Sequence, residues 1–128
     1  MIWRDFIDQA VGVPFVPHGR DYDGWDCWGL VWRAYLDVRG IRLPSYDAQY
    51  DQITDWRRLV RAFAAGVQEW VLTPTPSTGD VALIYRRGLA IHVGLIVPDR
   101  RILHVEEGVE TTQELTAHMR VEGVYAYC

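Results

Sequence analysis

Three residues of this sequence have side chains that could act together in one reaction, and they are Cys27, His92 and His104. A cysteine acts as a nucleophile through its thiolate, and a neighbouring imidazole can accept the thiol proton. A second imidazole can orient the first by a hydrogen bond to its other ring nitrogen, as in catalytic triads. If the fold brings the three together, their types predict nucleophilic catalysis.

Cys27 follows a loop and stands at the start of a predicted helix. Unpaired backbone N–H groups and the positive end of the helix dipole meet there, and both favour the thiolate. The position therefore predicts a thiol pKa below the free value of about 8.5, and it offers N–H donors to an oxyanion. The alternative is that Cys27 is a small buried apolar residue, as many free cysteines are.

His92 lies in an apolar segment that is predicted to be a strand over residues 90–97. His92, Gly94 and Ile96 share one face of that strand, and the residues between them form a wholly apolar face that predicts core. His92 thus points away from the main apolar face, beside a glycine that leaves room for another group. The alternatives are a structural histidine at position 92 and a surface strand residue at His104.

The length of one predicted hairpin loop decides whether the two histidines meet. If residues 98–100 form a three-residue loop, His104 lies opposite Gly94. The same register puts Glu106 opposite His92, so the histidines become diagonal neighbours whose backbones are roughly 7–8 Å apart. A loop of about two or four residues would turn the histidines to opposite faces of the sheet.

The elements that must position these residues follow an α+β order, with helices first and strands later. Apolar periodicity and capping residues predict three helices, which start near Trp3, at Asp26 or Cys27, and at Asp55. Glycines at positions 12, 40 and 66 end them. Residues 14–24 form a loop, and strands are predicted over 81–85, 90–97, 101–105 and 121–127. We expect antiparallel hairpins packed against the Cys27 helix, in one domain over residues 1–128.

Composition excludes several kinds of chemistry. All 13 basic residues are arginines, which excludes a P-loop lysine, a Schiff-base lysine and a Ser–Lys dyad. The net charge of -4 argues against a nucleic-acid partner, which requires a basic face. The two cysteines, Cys27 and Cys128, make neither a disulfide framework nor a Cys-rich zinc site. We predict no cofactor and no metal.

We expect no export or membrane signal in this sequence. Its first residues are charged where a signal peptide needs an apolar run. The longest uncharged apolar stretch, residues 89–97, is too short to span a bilayer. We therefore expect a protein made in the cytoplasm without a signal peptide and without membrane insertion.

Four segments, in order along the chain, resemble the boxes of a known family. They read Gly-Trp-Asp-Cys-Trp-Gly-Leu-Val at 24–31, Gly-Ile-Arg-Leu-Pro at 40–44, Thr-Gly-Asp-Val at 78–81, and Ile-His-Val-Gly-Leu-Ile-Val at 91–97 followed by Leu103-His104. They resemble the NlpC family of cell-wall cysteine peptidases, a papain-like superfamily. The likeness covers nearly the whole chain.

The resemblance implies a papain-like NlpC-type fold and an endopeptidase that acts on peptidoglycan stem peptides. The bond between D-glutamate and a diamino acid is the usual target of that family. By the same resemblance Cys27 attacks the scissile carbonyl, His92 exchanges the proton and His104 orients His92. An acyl-transfer or amidase reaction by the same thiol is an alternative.

The resemblance also implies a substrate site beside the nucleophile. Asp26 would bind the free amine of a stem peptide, with helix N-capping as the alternative. Trp25 and Trp28 would line a peptide or glycan groove, with core packing as the alternative. The chain departs from the family pattern at Phe15, where tyrosine is usual, at His18, where glycine is usual, and at Trp28, where serine is usual.

The Asp-Cys-Trp-Gly-Leu form of the first box resembles the subgroup found in tail-tip proteins of tailed phages and gene-transfer particles. This resemblance implies carriage on a virion tail tip, contact with tail-tip or hub proteins, and action in the host periplasm or cell wall. The alternative, suggested by Phe15 and Trp28, is a structural tail-tip module with weak or no activity.

Two other clusters have simpler interpretations. Cys27, His92 and His104 have the ligand types of a catalytic zinc site, but nothing in their spacing requires a metal. The acidic residues Glu106, Glu107, Glu110 and Glu114 are interpreted as a solvated edge.

Overall fold

The computed structural model describes residues 1–46 and 69–127. The helix predicted to start at Asp55, and Cys128, lie outside these residues. The described elements, in chain order, are α1 (Trp3–Ala10), β1 (Arg20–Asp21), β2 (Gly24–Trp25), α2 (Cys27–Arg39), β3 (Trp70–Leu72), β4 (Val81–Arg86), β5 (Leu89–Val97), β6 (Arg101–Glu106), β7 (Val109–Leu115), a short 3-10 helix (Thr116–His118) and β8 (Val121–Tyr127).

The helix that carries Cys27 has both of its ends set by the sequence. The Asp26 carboxylate accepts a hydrogen bond from the Gly29 N–H at 2.8 Å, which caps the first turn of α2. Gly40 ends the helix in a left-handed conformation with a φ of 66°, and its N–H donates to the Leu36 carbonyl. The predicted start and stop of this helix are confirmed.

Six strands form one antiparallel sheet in the order β3-β8-β4-β5-β6-β7. One face of the sheet carries residues such as Val93, Leu95 and Leu103, which share a core with α1 and α2. The opposite face has a small apolar cluster that includes Ile84 and Ile102. The predicted α+β architecture, with helices packed on an antiparallel sheet, is confirmed.

The hairpin of β5 and β6 has the register that a three-residue loop requires. Val97 pairs with Arg101 and Leu95 with Leu103. Asp99 and Arg100 make the turn with φ angles of 65° and 57°, and both values lie in the left-handed region. His92 and His104 therefore lie on the same face of the sheet, as predicted.

Two strands of the sheet and one short hairpin were not predicted. The short hairpin β1–β2 lies within the predicted loop at 14–24 and just after it, and β3 is a three-residue strand. β7 is an edge strand whose sequence, Val-Glu-Thr-Thr-Gln-Glu-Leu, lacks apolar alternation, and Thr111 is its one buried residue. Because an edge strand is solvated along one side, its polar sequence gives little strand signal. No helix in the described ranges is long and apolar enough to cross a membrane.

Candidate active site

The Cys27 thiol is packed between the start of α2 and strand β5. The residue is 1% exposed. The backbone N–H groups of Val93 and Trp28 lie close enough to its sulfur to favour the thiolate. Val93 follows His92 directly, so the thiol lies against the part of β5 that carries this histidine. Within the described part of the chain, no hydrogen bond joins Cys27 Sγ to an imidazole nitrogen.

Burial determines the protonation of this thiol. Loss of solvent raises the pKa of Cys27 well above its usual range, and the neighbouring Asp26 carboxylate raises it further. The Val93 and Trp28 N–H groups and the Arg20 charge act in the opposite direction but do not outweigh burial. The low pKa expected from the helix start is therefore not found, and the resting side chain is a neutral thiol.

The two histidines form a buried hydrogen-bonded pair. Nε2 of His92 and Nδ1 of His104 lie 3.0 Å apart, and the rings meet edge to face with an interplanar angle of 75°. Gly94 makes the approach possible, because a Cβ there would lie 3.2 Å from the His104 Cβ and 2.6 Å from a methyl of Ile102. Only glycine provides this room.

Two carboxylates from β6 and β7 face the histidine pair. Oε2 of Glu114 lies 3.1 Å from Nε2 of His104. Oε1 of Glu106 lies 3.4 Å from Nδ1 of His104 and 3.6 Å from Nε2 of His92. Arg86 on β4 donates two hydrogen bonds, from Nε and Nη2, to that same Oε1 atom.

These contacts select the tautomers of the neutral rings. An ionised carboxylate only accepts hydrogen bonds, so the proton between His104 and Glu114 is on the Nε2 atom of His104. In a neutral ring the Nδ1 atom of His104 then accepts, and Nε2–H of His92 donates to it. The remaining nitrogen of His92, Nδ1, is unprotonated and can act as a base.

Burial also controls the charge of His92. Loss of solvent is the main cause that lowers the pKa of His92 to about 3, with smaller contributions from His104 and Arg86. The Glu106 carboxylate opposes this lowering. The neighbouring His104 ring and the two hydrogen bonds from Arg86 hold the pKa of Glu106 below its usual range, against the effect of its own burial. At neutral pH, a neutral base therefore stands beside a fixed negative charge.

Asp26 supports the loop before the nucleophile. It is 1% exposed and accepts from the Gly29 N–H, from Arg20 Nη1 at 2.9 Å and from the His18 N–H at 2.9 Å. The N-capping alternative is therefore found in the structure. The contact of Asp26 with a substrate amine stays a prediction.

The two tryptophans beside Asp26 belong to the core. Trp25 and Trp28 are both 0% exposed. The indole N–H of Trp25 donates to Thr111 Oγ1 at 2.8 Å, and that of Trp28 donates to the Pro44 carbonyl at 2.9 Å. Because each ring is fully buried and its polar edge is engaged, the core-packing alternative describes them, and neither lines a groove in this structure.

The departures from the family pattern have structural counterparts. His18 has a φ of 61°, in the left-handed region where glycine has no steric cost, which explains why glycine suits this position. Phe15 is partly buried and forms a bridge with Trp25. It offers no hydroxyl group.

His92, His104 and Glu106 each offer one ligand atom that could together approach a cation, all within 4.8 Å of one another. This set differs from the zinc set considered from the sequence, because Glu106 replaces Cys27. The Glu106 oxygen already accepts two N–H groups of a guanidinium, whose positive charge repels a metal ion. The arrangement favours a hydrogen-bond network.

Sequence reasoning missed the functional contacts of Arg86, Glu106 and Glu114. Glu106 and Glu114 belong to the acidic cluster that the sequence predicts to be a solvated edge. One signal was present, since the hairpin register puts Glu106 opposite His92. No signal for Glu114 existed without β7, which pairs Thr112 with His104 and brings Glu114 to the same face.

Comparison with known proteins identifies relatives of this fold. The sequence model of the NlpC/P60 family matches residues 12–124. The crystal structure of the NlpC/p60 domain of the peptidoglycan hydrolase SagA has a TM-score of 0.68 and 16% sequence identity, over 96% of this chain and 94% of that one. No curated protein sequence matches the chain.

Two mycobacterial structures are also similar. The P60 domain of an antigen from Mycobacterium avium subspecies paratuberculosis has a TM-score of 0.60 and 14% identity, over 97% of this chain and 90% of that one. A hypothetical invasion protein of Mycobacterium tuberculosis has a TM-score of 0.55 and 21% identity. The alignment covers 96% of this chain and 61% of the chain of the invasion protein. At these identities the likeness concerns the fold.

Proposed function

Because this chain belongs to the NlpC/P60 family, whose members are cysteine peptidases and peptidoglycan hydrolases, we propose that it is a cysteine endopeptidase of peptidoglycan stem peptides. The observation that carries the proposal is the placement of three groups around β5. The Cys27 thiol lies against β5 at Val93, and His92 is hydrogen bonded to His104 through Nε2, which leaves Nδ1 as the free base.

The chemistry begins with two neutral groups. As Cys27 sulfur forms a bond to the scissile carbonyl carbon, its proton passes to the free nitrogen of His92, and the carbonyl oxygen becomes an oxyanion. The Cys27 backbone N–H at the start of α2 stabilises that oxyanion, since the Gly29 and Leu30 N–H groups already donate to Asp26. The C–N bond then breaks, the leaving amine takes the proton from His92, and a thioester remains.

Water completes the cycle. His92 accepts a proton from the attacking water, the new oxygen bond forms at the thioester carbon, and the C–S bond breaks. The sulfur recovers the proton as the acid product leaves. Throughout, His104 keeps the His92 ring in one tautomer and orientation, as the third member of a triad does.

The stem-peptide bond between D-glutamate and a diamino acid is the proposed target. Support for this bond comes from the sequence resemblance to the NlpC boxes. The Asp26 carboxylate is 1% exposed and accepts from Gly29, Arg20 and His18, so it would take the free amine of a stem peptide only after a shift that opens it to the substrate.

Digestion of purified muropeptides tests the function. Wild-type protein should release products at least about a hundredfold faster than Cys27→Ala, since the general-base and nucleophilic steps are both lost. Product masses identify the bond and separate hydrolysis from acyl transfer. Equal product formation by the two proteins, or none by wild type on any stem-peptide chemistry, would refute the proposal.

We assign the setting, as part of the same proposal, to a phage tail or tail-like particle with tail-tip or hub proteins as partners. The Asp-Cys-Trp-Gly-Leu form of the nucleophile box supports this assignment. Particles that carry Cys27→Ser should assemble normally and fail only when they penetrate the cell wall. If the protein is missing from purified particles, this setting is wrong.

One observation favours the structural alternative, a tail-tip module without activity. The thiol is buried in the resting structure, so substrate must reach it through a shift of the surrounding residues. Under this alternative, particles with Cys27→Ser would penetrate as well as wild type, and disruption of the fold would block assembly.

A further inference from the structure

We infer that Glu106 is a positioning residue whose carboxylate stabilises the positive charge that the His92–His104 pair acquires when the nucleophile loses its proton. The inference rests on the proposed role of Cys27 as that nucleophile. The family resemblance implies three residues for the site: Cys27, His92 and His104. The inference adds a fourth group, the negatively charged carboxylate of Glu106, which the resemblance did not indicate.

The geometry of the carboxylate fits this role. Oε1 of Glu106 lies 3.4 Å from Nδ1 of His104 and 3.6 Å from Nε2 of His92. These two nitrogens are the two ends of the hydrogen bond within the pair. Since electrostatic energy varies inversely with distance, the oxygen stabilises the charge almost equally whichever ring holds the bridging proton.

Arg86 holds the oxygen at this point. Its Nε atom donates to Glu106 Oε1 at 2.9 Å, and its Nη2 atom donates to the same oxygen. The two side chains are about one third exposed, with values of 31% and 33%, so their hydrogen bonds are partly shielded from water. The guanidinium charge itself opposes an imidazolium, which means that the contribution of Arg86 is to position the carboxylate.

The histidine pair needs a compensating charge because it is buried. His92 is 6% exposed and His104 is 3% exposed, and burial disfavours a charged ring. Around His92, β4 contributes Arg86, and β6 contributes His104 and Glu106. Glu114 on β7 reaches only the far nitrogen of His104. Glu106 is thus the negative group that lies beside the hydrogen bond of the pair.

The proton balance shows where this charge acts. The Cys27 proton leaves sulfur with the electron pair remaining there, and it binds to Nδ1 of His92. The ring then carries protons on both nitrogens, and its Nε2–H donates toward Nδ1 of His104. Without the carboxylate, the equilibrium returns toward the neutral thiol and imidazole, and less thiolate is present at neutral pH.

Alkylation of Cys27 by iodoacetamide measures this thiolate directly and needs no peptidoglycan. Rates are determined from about pH 5 to 10 for wild type and for Glu106→Gln, which keeps the size of the side chain and removes its charge. We expect the rate at neutral pH to fall about tenfold or more in the variant, as a nearby opposite charge shifts a pKa by about one to three units. At alkaline pH, where the thiol ionises by itself, the two rates should converge.

Two variants make the comparison specific. Glu107→Gln removes the same charge from the next residue, which is exposed at the turn after β6, and it should alkylate like wild type. Glu106→Asp keeps the charge and should recover part of the rate at neutral pH. If melting shows that Glu106→Gln is unfolded, the double variant Glu106→Gln/Arg86→Gln removes both charges together. This double variant should also lower the alkylation rate of Cys27 at neutral pH.

Equal rates for wild type and Glu106→Gln at neutral pH would overturn the inference. So would an equal loss at every pH, which indicates a structural role. The proposed function can fail separately from this inference. If wild type releases no muropeptide products but Glu106→Gln still lowers the alkylation rate at neutral pH, the proposed substrate is wrong and the positioning role of Glu106 stands.

Discussion

Nε2 of His92 and Nδ1 of His104 lie 3.0 Å apart across the hairpin of β5 and β6. The contact joins residues that are twelve positions apart in sequence. It depends on the three-residue loop at 98–100, which turns both histidines to one face of the sheet. It also depends on Gly94, which lies between the two histidines without a side chain.

Gly94→Ala should separate the two histidines. The new Cβ would lie 2.6 Å from the Ile102 methyl and 3.0 Å from the Leu103 carbonyl, so β6 must shift. Overpacking of this kind costs about 1–3 kcal/mol of stability, and the shift should also lower kcat. Thermal melting and muropeptide hydrolysis measure the two effects.

Gly123→Ala is a matched control for that substitution. Gly123 also lies in a strand, but its added Cβ meets the flexible end of the exposed Leu72 side chain at 2.9 Å. It should melt close to wild type and keep full activity. If Gly94→Ala is no less stable and no less active than Gly123→Ala, the close approach at Gly94 does not constrain the site.

Glu114→Ala should weaken the orientation of His104. Its carboxylate accepts from His104 Nε2, and without it the ring can take the other tautomer, in which Nδ1 no longer accepts from His92. We expect kcat to fall about tenfold, which is only part of the rate enhancement that a general base provides. KM should change little. Steady-state hydrolysis assays measure the two constants separately.

Two comparisons test whether the Glu114 effect is one of orientation. Glu110→Gln removes a charge from an exposed residue of the same strand and should leave kcat unchanged. Glu114→Gln retains a carbonyl acceptor and should restore most of the activity. A rise in KM with constant kcat would indicate that Glu114 contacts substrate instead.

Acidification should destabilise the fold through His92. The unfolded chain takes up a proton near the ordinary histidine pKa of 6.5, whereas in the folded protein burial lowers the pKa of His92 to about 3. The unfolded state therefore binds more protons in this interval, and the free energy of unfolding falls as the pH drops from about 6.5 toward 3. Glu106 adds to the loss at still lower pH, because its pKa is held below the usual 4.5.

Melting temperatures measured across this pH range check the sign. His92→Gln should flatten the dependence between about pH 6.5 and 4, where only a group with the ordinary histidine pKa in the unfolded chain titrates. His118→Gln, at an exposed position of the 3-10 helix, should leave the slope unchanged. A slope that persists in His92→Gln would assign the acid sensitivity to another group.

His18 tests the left-handed turn that Asp26 supports. Because its φ is 61°, glycine fits this backbone without strain and alanine does not. Both His18→Gly and His18→Ala lose the imidazole, so their difference reports the backbone alone. We expect the glycine variant to be more stable by about 1 kcal/mol in chemical denaturation. Equal stability would mean that the turn relaxes at no cost.

Local signals in the sequence predicted most of the elements around the site. Asp26 and Gly40 mark the two ends of α2 because capping depends on a few neighbouring residues. The alternation on β5 and the odd loop at 98–100 predicted that His92 and His104 share a face. The bounds of the strands with strong apolar patterns were predicted to within one or two residues. The polar edge strand β7 was not predicted.

The tertiary structure decided the charge state and the surroundings of the site. The start of a helix favours a thiolate, but the burial of Cys27 by β5 raises its pKa, since desolvation depends on residues distant in sequence. Trp25 and Trp28 have the same chemistry in a groove and in a core, and only packing placed them inside. The residue types and spacing by themselves determined the nucleophile, base and orienting histidine as candidates. The contacts of Glu106, Glu114 and Arg86 required the sheet, because the four strands β4 to β7 must pair before those charges meet the histidines.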